Sequence, residues 1–136
     1  MQRFTIQVET EGNNDIVNLQ QQLAQKISAI SGEGVLSLFV VGSTAALTTL
    51  EYETGLVKHD LPNVLQRLIP DDARYEHEAT WNDDNGHSHI RAALIGPSLI
   101  VPFANGRLLT GEYQQVVLID FDTRPRRRTV IGTVLP

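Results

Sequence analysis

Four histidines fall between positions 59 and 89, and His77, His87 and His89 lie within thirteen residues of one another. Converging imidazoles bind divalent metal ions. In extended chain, residues two apart face the same side, so His87-Ser88-His89 would present two ring nitrogens to one ion. On a helix the same pair would diverge. His77, within Tyr75-Glu76-His77-Glu78, would add a third nitrogen from across a loop. The plain alternative is a set of surface-loop histidines beside carboxylates. Asp71, Asp72, Glu76, Glu78, Asp83 and Asp84 crowd the same stretch. Dense acids repel one another unless a cation relieves them, and Arg74 and Arg91 are the nearby candidates.

A second carboxylate pair, Glu51 and Glu53, falls on one face of a predicted strand with Tyr52 on the other. Such a pair could complete a histidine metal site, orient a magnesium ion, or divide acid and base roles. A solvated strand face is the alternative. Gly42-Ser43-Thr44-Ala45 is a small-residue turn after a buried strand, where amides and two hydroxyls could hold an anion such as phosphate. It lacks the glycine spacing and lysine of a Walker motif. Arg124 and Arg126-Arg127-Arg128 make a basic turn and strand start, which reads as a charged hairpin protecting a sheet edge. There is no Gly-x-Ser-x-Gly, no cysteine nucleophile and no dinucleotide-binding glycine pattern.

The elements that must position these residues follow from apolar spacing. Residues 2 to 10 alternate, with Phe4, Ile6 and Val8 on one face, as a half-buried strand does. After Gly12-Asn13-Asn14-Asp15, the spacing of Ile16, Leu19, Leu23, Ile27 and Ile30 predicts a helix over about 15 to 29. Residues 35 to 41 suit a strand buried on both faces, and 45 to 53 resume with β-prone residues. Pro62 fits only near a helix start, so a second helix runs after Asp60 and stops before Pro70. Residues 71 to 86 are polar, hold no apolar period, and are too long for an idle connection. Strands return at 99 to 103, 107 to 110, 114 to 121 and 127 to 135, with Asn105-Gly106 as a hairpin turn. Two helices among about seven strands predict one α+β domain over 1 to 136, on a mainly antiparallel sheet. Exposed edge strands make subunit pairing an expectation.

At 136 residues with 41% hydrophobic and 20% charged residues, the composition is that of a single globular domain. A net charge of -5 argues against general nucleic-acid binding, which needs a positive surface. No apolar run approaches the roughly 20 residues a membrane helix requires. A chain without cysteine is no disulfide scaffold, and the reading is a soluble cytoplasmic protein.

The motifs in order resemble a known family. Gly42-Ser43-Thr44-Ala45-Ala46-Leu47, then Leu50-Glu51-Tyr52-Glu53, then His59-Asp60 look like the first half of the YjbQ family. Tyr75-Glu76-His77-Glu78, Asn85-Gly86-His87-Ser88-His89-Ile90-Arg91 and Leu94-Ile95-Gly96-Pro97-Ser98 resemble its second half. Val101-Pro102-Phe103, Gly106-Arg107-Leu108 and Gly111-Glu112-Tyr113-Gln114-Gln115 continue in the family's order. The resemblance implies a compact α+β domain that assembles as a homotrimer. It also implies a secondary thiamine-phosphate synthase-like transferase, joining a hydroxymethylpyrimidine diphosphate to a thiazole phosphate with release of pyrophosphate.

Two departures stand out: many members carry histidine where Gly42 stands, and Tyr113 replaces a common tryptophan. On this reading a divalent metal, zinc or magnesium, is held by His77, His87 and His89. Glu51 or Glu53 serves as further ligand or base, and Glu51 matches the glutamate the family shows after this strand. Ser43, Thr44 and Arg91 hold the phosphate of a small phosphorylated substrate. The competing expectation is a non-catalytic trimer that binds a metal or small ligand.

Overall fold

A computed structural model describes residues 2–136. Its first strand, β1 (Gln2–Thr10), alternates as its sequence demands and buries Ile6, Val8 and Thr10 on one face. Antiparallel pairing continues through β8 (Arg126–Leu135), β3 (Glu33–Val41), β5 (Ser98–Ala104) and β6 (Arg107–Leu108) to make a five-stranded sheet in the order β1-β8-β3-β5-β6. Asn105 and Gly106, both at positive φ (49° and 77°), form the two-residue turn between β5 and β6. A second sheet of three strands holds β2 (Asp15–Asn18), β7 (Gln115–Asp120) and β4 (Ala45–Leu50) in the order β2-β7-β4.

The two sheets and a helical layer enclose two apolar interiors. Between the sheets lie Leu36, Leu38, Val40, Val130 and Phe103 from the larger one and Ala45, Leu47, Val116 and Leu118 from the smaller. Helix α1 (Gln20–Ile27) closes this interior with Leu23 and Ile27. Odd and even residues of β7 face opposite ways, so Val117, Ile119 and the following Phe121 point to the other side. There they meet Val57 from a π-helical turn (Leu56–Asp60), Leu65 of α2 (Leu61–Leu68) and Ala92 of α4 (Gly86–Ile95). A short helix α3 (Glu76–Trp81) precedes α4. The outer face of the five-stranded sheet carries Phe39, Val41 and Ile100 in the open.

The α+β class with antiparallel sheets is as the sequence implies, but several elements differ. The described residues form four α-helices and a π-helical turn where two helices are expected. Residues 15 to 18 form strand β2 rather than the start of a helix, since Ile16 packs in one interior while Leu23 and Ile27 pack in the other. Their spacing is helical by coincidence across an element boundary. The polar stretch 71 to 86 contains α3, which buries no side chain fully and therefore shows no apolar period. Strand β3 is covered on one face only, with Phe39 and Val41 exposed on the other. Strand β8 is central rather than an edge, with β1 on one side and β3 on the other.

Leu23 is fully buried and fastens α1 over the inter-sheet interior. Leu23→Ala should lower stability by about 2–5 kcal/mol in urea denaturation. Leu94→Ala, at a residue 72% exposed, should stay within about 0.5 kcal/mol of the parent.

Candidate functional site

The most heavily bonded polar group of the fold lies where β7 ends and β8 begins. On β7 the residues facing the inter-sheet interior run Val116, Leu118, Asp120; on β8 they run Arg128, Val130, Gly132, Val134. Alternation thus drives one acid and one base into the same interior from opposite sheets. Arg128 Nε donates to Asp120 Oδ2 at 2.7 Å and Nη2 to Oδ1 at 2.9 Å, a bidentate pair with side-chain exposures of 9% and 0%. Thr10 of β1 donates to Asp120 Oδ2 at 2.6 Å, and the Asp122 amide donates to Oδ1 at 3.0 Å. Every lone pair of Asp120 is used.

Asp122 is held the same way. It accepts from the Thr123 amide, Thr44 Oγ1 and Arg126 Nε at 2.8, 3.1 and 2.9 Å. The Asn85 amide, 3.3 Å from Oδ1, lies against the remaining lone pair. Burial alone would raise the Asp122 carboxyl, but the donors of Thr123, Asn85, Arg126 and Thr44 outweigh it and hold its pKa below the ordinary 3.8. Asp122 is therefore a fixed anion at neutral pH. Thr44 completes the ring by accepting from Arg128 Nη2 at 2.6 Å.

The loop between β1 and β2 braces this segment from behind. Gly12, Asn13 and Asn14 all sit at positive φ (82°, 54° and 67°). That turn lets the Asn13 and Asn14 amides donate to the Asp122 and Asp120 carbonyls at 2.7 and 2.9 Å. A Cβ on Gly12 would stand 2.6 Å from the Arg124 carbonyl oxygen, so the approach needs glycine.

Above the acids, Gly42, Ser43, Thr44, Asn85, His89, Asp122, Arg126 and Arg128 line a cavity of about 320 Å³. A second, mainly apolar cavity of about 450 Å³ shares Gly42, Ser43 and His89 and runs on to Phe39, Ala92 and Pro97. His89 reaches both from the first turns of α4, whose Gly86 amide is capped by Glu78 Oε1 at 2.6 Å. The ring of His77 packs on that of His89 with centroids 4.4 Å apart. His77 Nε2 lies 3.3 Å from Asp83 Oδ2 and 3.1 Å from the Asn85 amide.

Of the residues singled out in the sequence, Ser43, Thr44 and His89 line the polar cavity, and His77 stands directly behind His89. His87 does not join them. His87-Ser88-His89 lies on α4 rather than in extended chain, so the two imidazoles diverge. His87 is buried beside Ser88 Oγ, with the Tyr75 ring 6.4 Å away. The three-histidine set therefore does not fit a metal ion, and among the described residues no three His, Cys, Asp or Glu side chains converge to hold one.

Glu51 and Glu53 lie beyond the end of β4 at Leu50 and are exposed, with Glu53 bonded to the Gly55 amide. Neither lines the cavity of His89. Arg91 is buried and spent on the fold: it donates to the Ile69 carbonyl, Asn14 Oδ1 and Gln66 Oε1, tying α4 to α2 and the β1–β2 loop. Asp120, Asp122, Asn85, Arg126 and Arg128 are the residues that sequence reasoning missed as a site. For Asp120 and Arg128 the available signal was a charge at an inward position of an apolar alternation.

Two layered sheets backed by α2 and α4 define an α+β domain with a polar cavity where β7 turns into β8. The model of the UPF0047 protein YjbQ-like family matches residues 4–136, and the chain belongs to that family. A UPF0047 protein of Archaeoglobus fulgidus is 30% identical over 128 residues, covering 94% of this chain and 97% of that protein. UPF0047 protein YjbQ of Escherichia coli O157:H7 is 34% identical over 101 residues, 74% of this chain and 72% of that one. Among solved structures, a hypothetical protein of Aeropyrum pernix superposes with a TM-score of 0.88 at 27% identity, covering 99% of this chain and 98% of its own. A conserved hypothetical protein of Thermus thermophilus does so with 0.80 at 30% identity, over 96% and 99%.

Burial first, and then the Arg91 cation, push the His87 pKa below its ordinary 6.5. The unfolded chain then binds a proton that the folded chain refuses, so stability should fall as pH drops below about 6.5 and level off below the folded value. Urea midpoints measured at about pH 7.5 and about pH 5.5 should differ less in His87→Gln than in the parent. An equal difference in both would refute the assignment.

Proposed function

We propose that the chain is a cytoplasmic, homotrimeric transferase of the thiamine-phosphate synthase type, acting on small phosphorylated substrates in the cavity of Ser43, His89, Arg126 and Arg128. One observation carries the reading. The carboxylates at the site are engaged by donors, whereas residues lining the cavity keep hydrogen-bond donors with no acceptor among the described residues. These are the terminal nitrogens of Arg126, the Nη1 of Arg128 and the Ser43 hydroxyl. A surface with donors to spare and acceptors used up complements a ligand rich in acceptors, and a phosphate or diphosphate is the commonest such group.

In the proposed reaction the thiazole nitrogen attacks the methylene carbon of the pyrimidine diphosphate. A C–N bond forms, the C–O bond to the diphosphate breaks, and its electron pair leaves with pyrophosphate. Arg126, Arg128 and Ser43 hold the diphosphate oxygens and take up the charge that grows there. His89, at the junction of the polar and apolar cavities, donates a proton to the departing oxygen. His77, packed on the His89 ring and anchored by Asp83, positions it. Support for the homotrimer is the uncovered sheet face of Phe39, Val41 and Ile100.

Purified protein given the pyrimidine diphosphate and the thiazole phosphate should release thiamine phosphate and pyrophosphate. His89→Asn should cut turnover by roughly 100-fold while phosphate binding survives. Phosphate binding without any product would leave the chain a binding protein. A mass in light scattering other than three chains would refute the trimer.

A further inference from the structure

Arg128 is 8% exposed, yet one end of it is free. Its Nε and both Nη2 hydrogens are committed to Asp120 and Thr44, while Nη1 donates to no acceptor among the described residues. Nη1 faces the Cα of Gly42: a Cβ built there would stand 2.7 Å from it. The guanidinium cannot swing aside to make room, because its plane is fixed by three hydrogen bonds of 2.6 to 2.9 Å. Gly42 also holds a φ of +130°, and it lines both the polar and the apolar cavity. The missing side chain at position 42 is thus the opening through which a buried cation reaches the site.

We infer that Gly42 is a specificity-determining residue, whose bare backbone lets Arg128 Nη1 bind one oxyanion group of the ligand, a phosphate. The inference rests on the phosphate reading above and adds to it which nitrogen anchors the anion and what controls access. Arg126 is 41% exposed at its side chain and carries a screened charge, whereas Arg128 is only 9% exposed and opens to the cavity at Nη1 alone. Ser43, adjoining Gly42 on the rim, adds its hydroxyl to the same oxyanion. Any side chain at position 42 would occupy the place of the anion's first oxygen.

Calorimetric titration with inorganic phosphate compares the parent with Gly42→Ala and Gly32→Ala. Gly32 also holds a positive φ, +83°, but a Cβ there meets nothing within 4 Å, so this variant carries backbone strain without closing the opening. Gly42→Ala should weaken phosphate binding by about tenfold or more, the loss of one charge-assisted hydrogen bond pair, and Gly32→Ala should leave it unchanged. Parent-like affinity in Gly42→Ala overturns the inference and leaves the phosphate reading standing. No binding by the parent overturns both. Crystals of the parent soaked in phosphate provide the second measurement, independent of whether Gly42→Ala folds. An anion oxygen within hydrogen-bond distance of Arg128 Nη1 supports the assignment, and an anion on Arg126 alone, or none, overturns it.

Discussion

The buried pair between Asp120 and Arg128 is the constraint around which this fold is arranged. Desolvating two charges is expensive, and the bidentate contact offsets that only when the remaining hydrogen-bonding capacity is also met. For Asp120 the chain meets it with Thr10 from β1, the Asp122 amide and Arg128 itself from β8, while Arg128 gains Thr44 as an acceptor and keeps only Nη1 free. Since Asp120 belongs to the three-stranded sheet and Arg128 to the five-stranded one, the pair also fixes how the two sheets meet at this end. Removing either partner alone would leave an unpaired charge in an interior, a loss of about 3–5 kcal/mol. A pair of that kind specifies geometry more than it adds stability.

That geometry explains the division of labour among the polar residues. Arg91 carries a full charge and four hydrogen bonds, yet all of them go to carbonyls and amides of its own fold. Through Asn14 it steadies the loop whose amides hold the Asp120 and Asp122 carbonyls. Arg126 and Arg128, two residues apart on β8, lean toward the cavity instead. Charge type alone does not separate these roles; the burial of each side chain and the partners around it do.

Much of this arrangement can be read in the sequence, and the places where it cannot have physical causes. Strong alternation in residues 2 to 10, the Asn105-Gly106 turn and the Pro62 helix start each report a local preference that tertiary packing leaves in force. The boundary at Asn18–Gln20 is hidden because apolar residues facing two different interiors fall at helical intervals. His87 and His89 look like a metal pair only in extended chain, and α4 begins at Gly86, with no residue of its first two turns strongly apolar except Ile90. Ser43, Thr44, His77 and His89 are legible as chemistry-bearing because their types and order are distinctive. Asp120 and Arg128 are legible only as interruptions: each takes an inward place in a run of valines and leucines, where an ordinary charge would be excluded.

The same interruptions decide what the cavity can attract. Asp120 and Asp122 face Arg126 and Arg128, so the ionised groups of the cluster sum to no net charge, and the chain as a whole is negative. Long-range attraction therefore does not draw an anion to this site. Selection must come from hydrogen bonding: the carboxylates of Asp120 and Asp122 are already engaged by donors, and Arg126 and Arg128, which line the cavity, keep N–H groups unspent. Donors held in place by the fold act without the reorganisation that water would need. On the phosphate reading, a ligand is chosen by whether its oxygens reach those donors, and carboxylates already engaged with donors leave little for a cation.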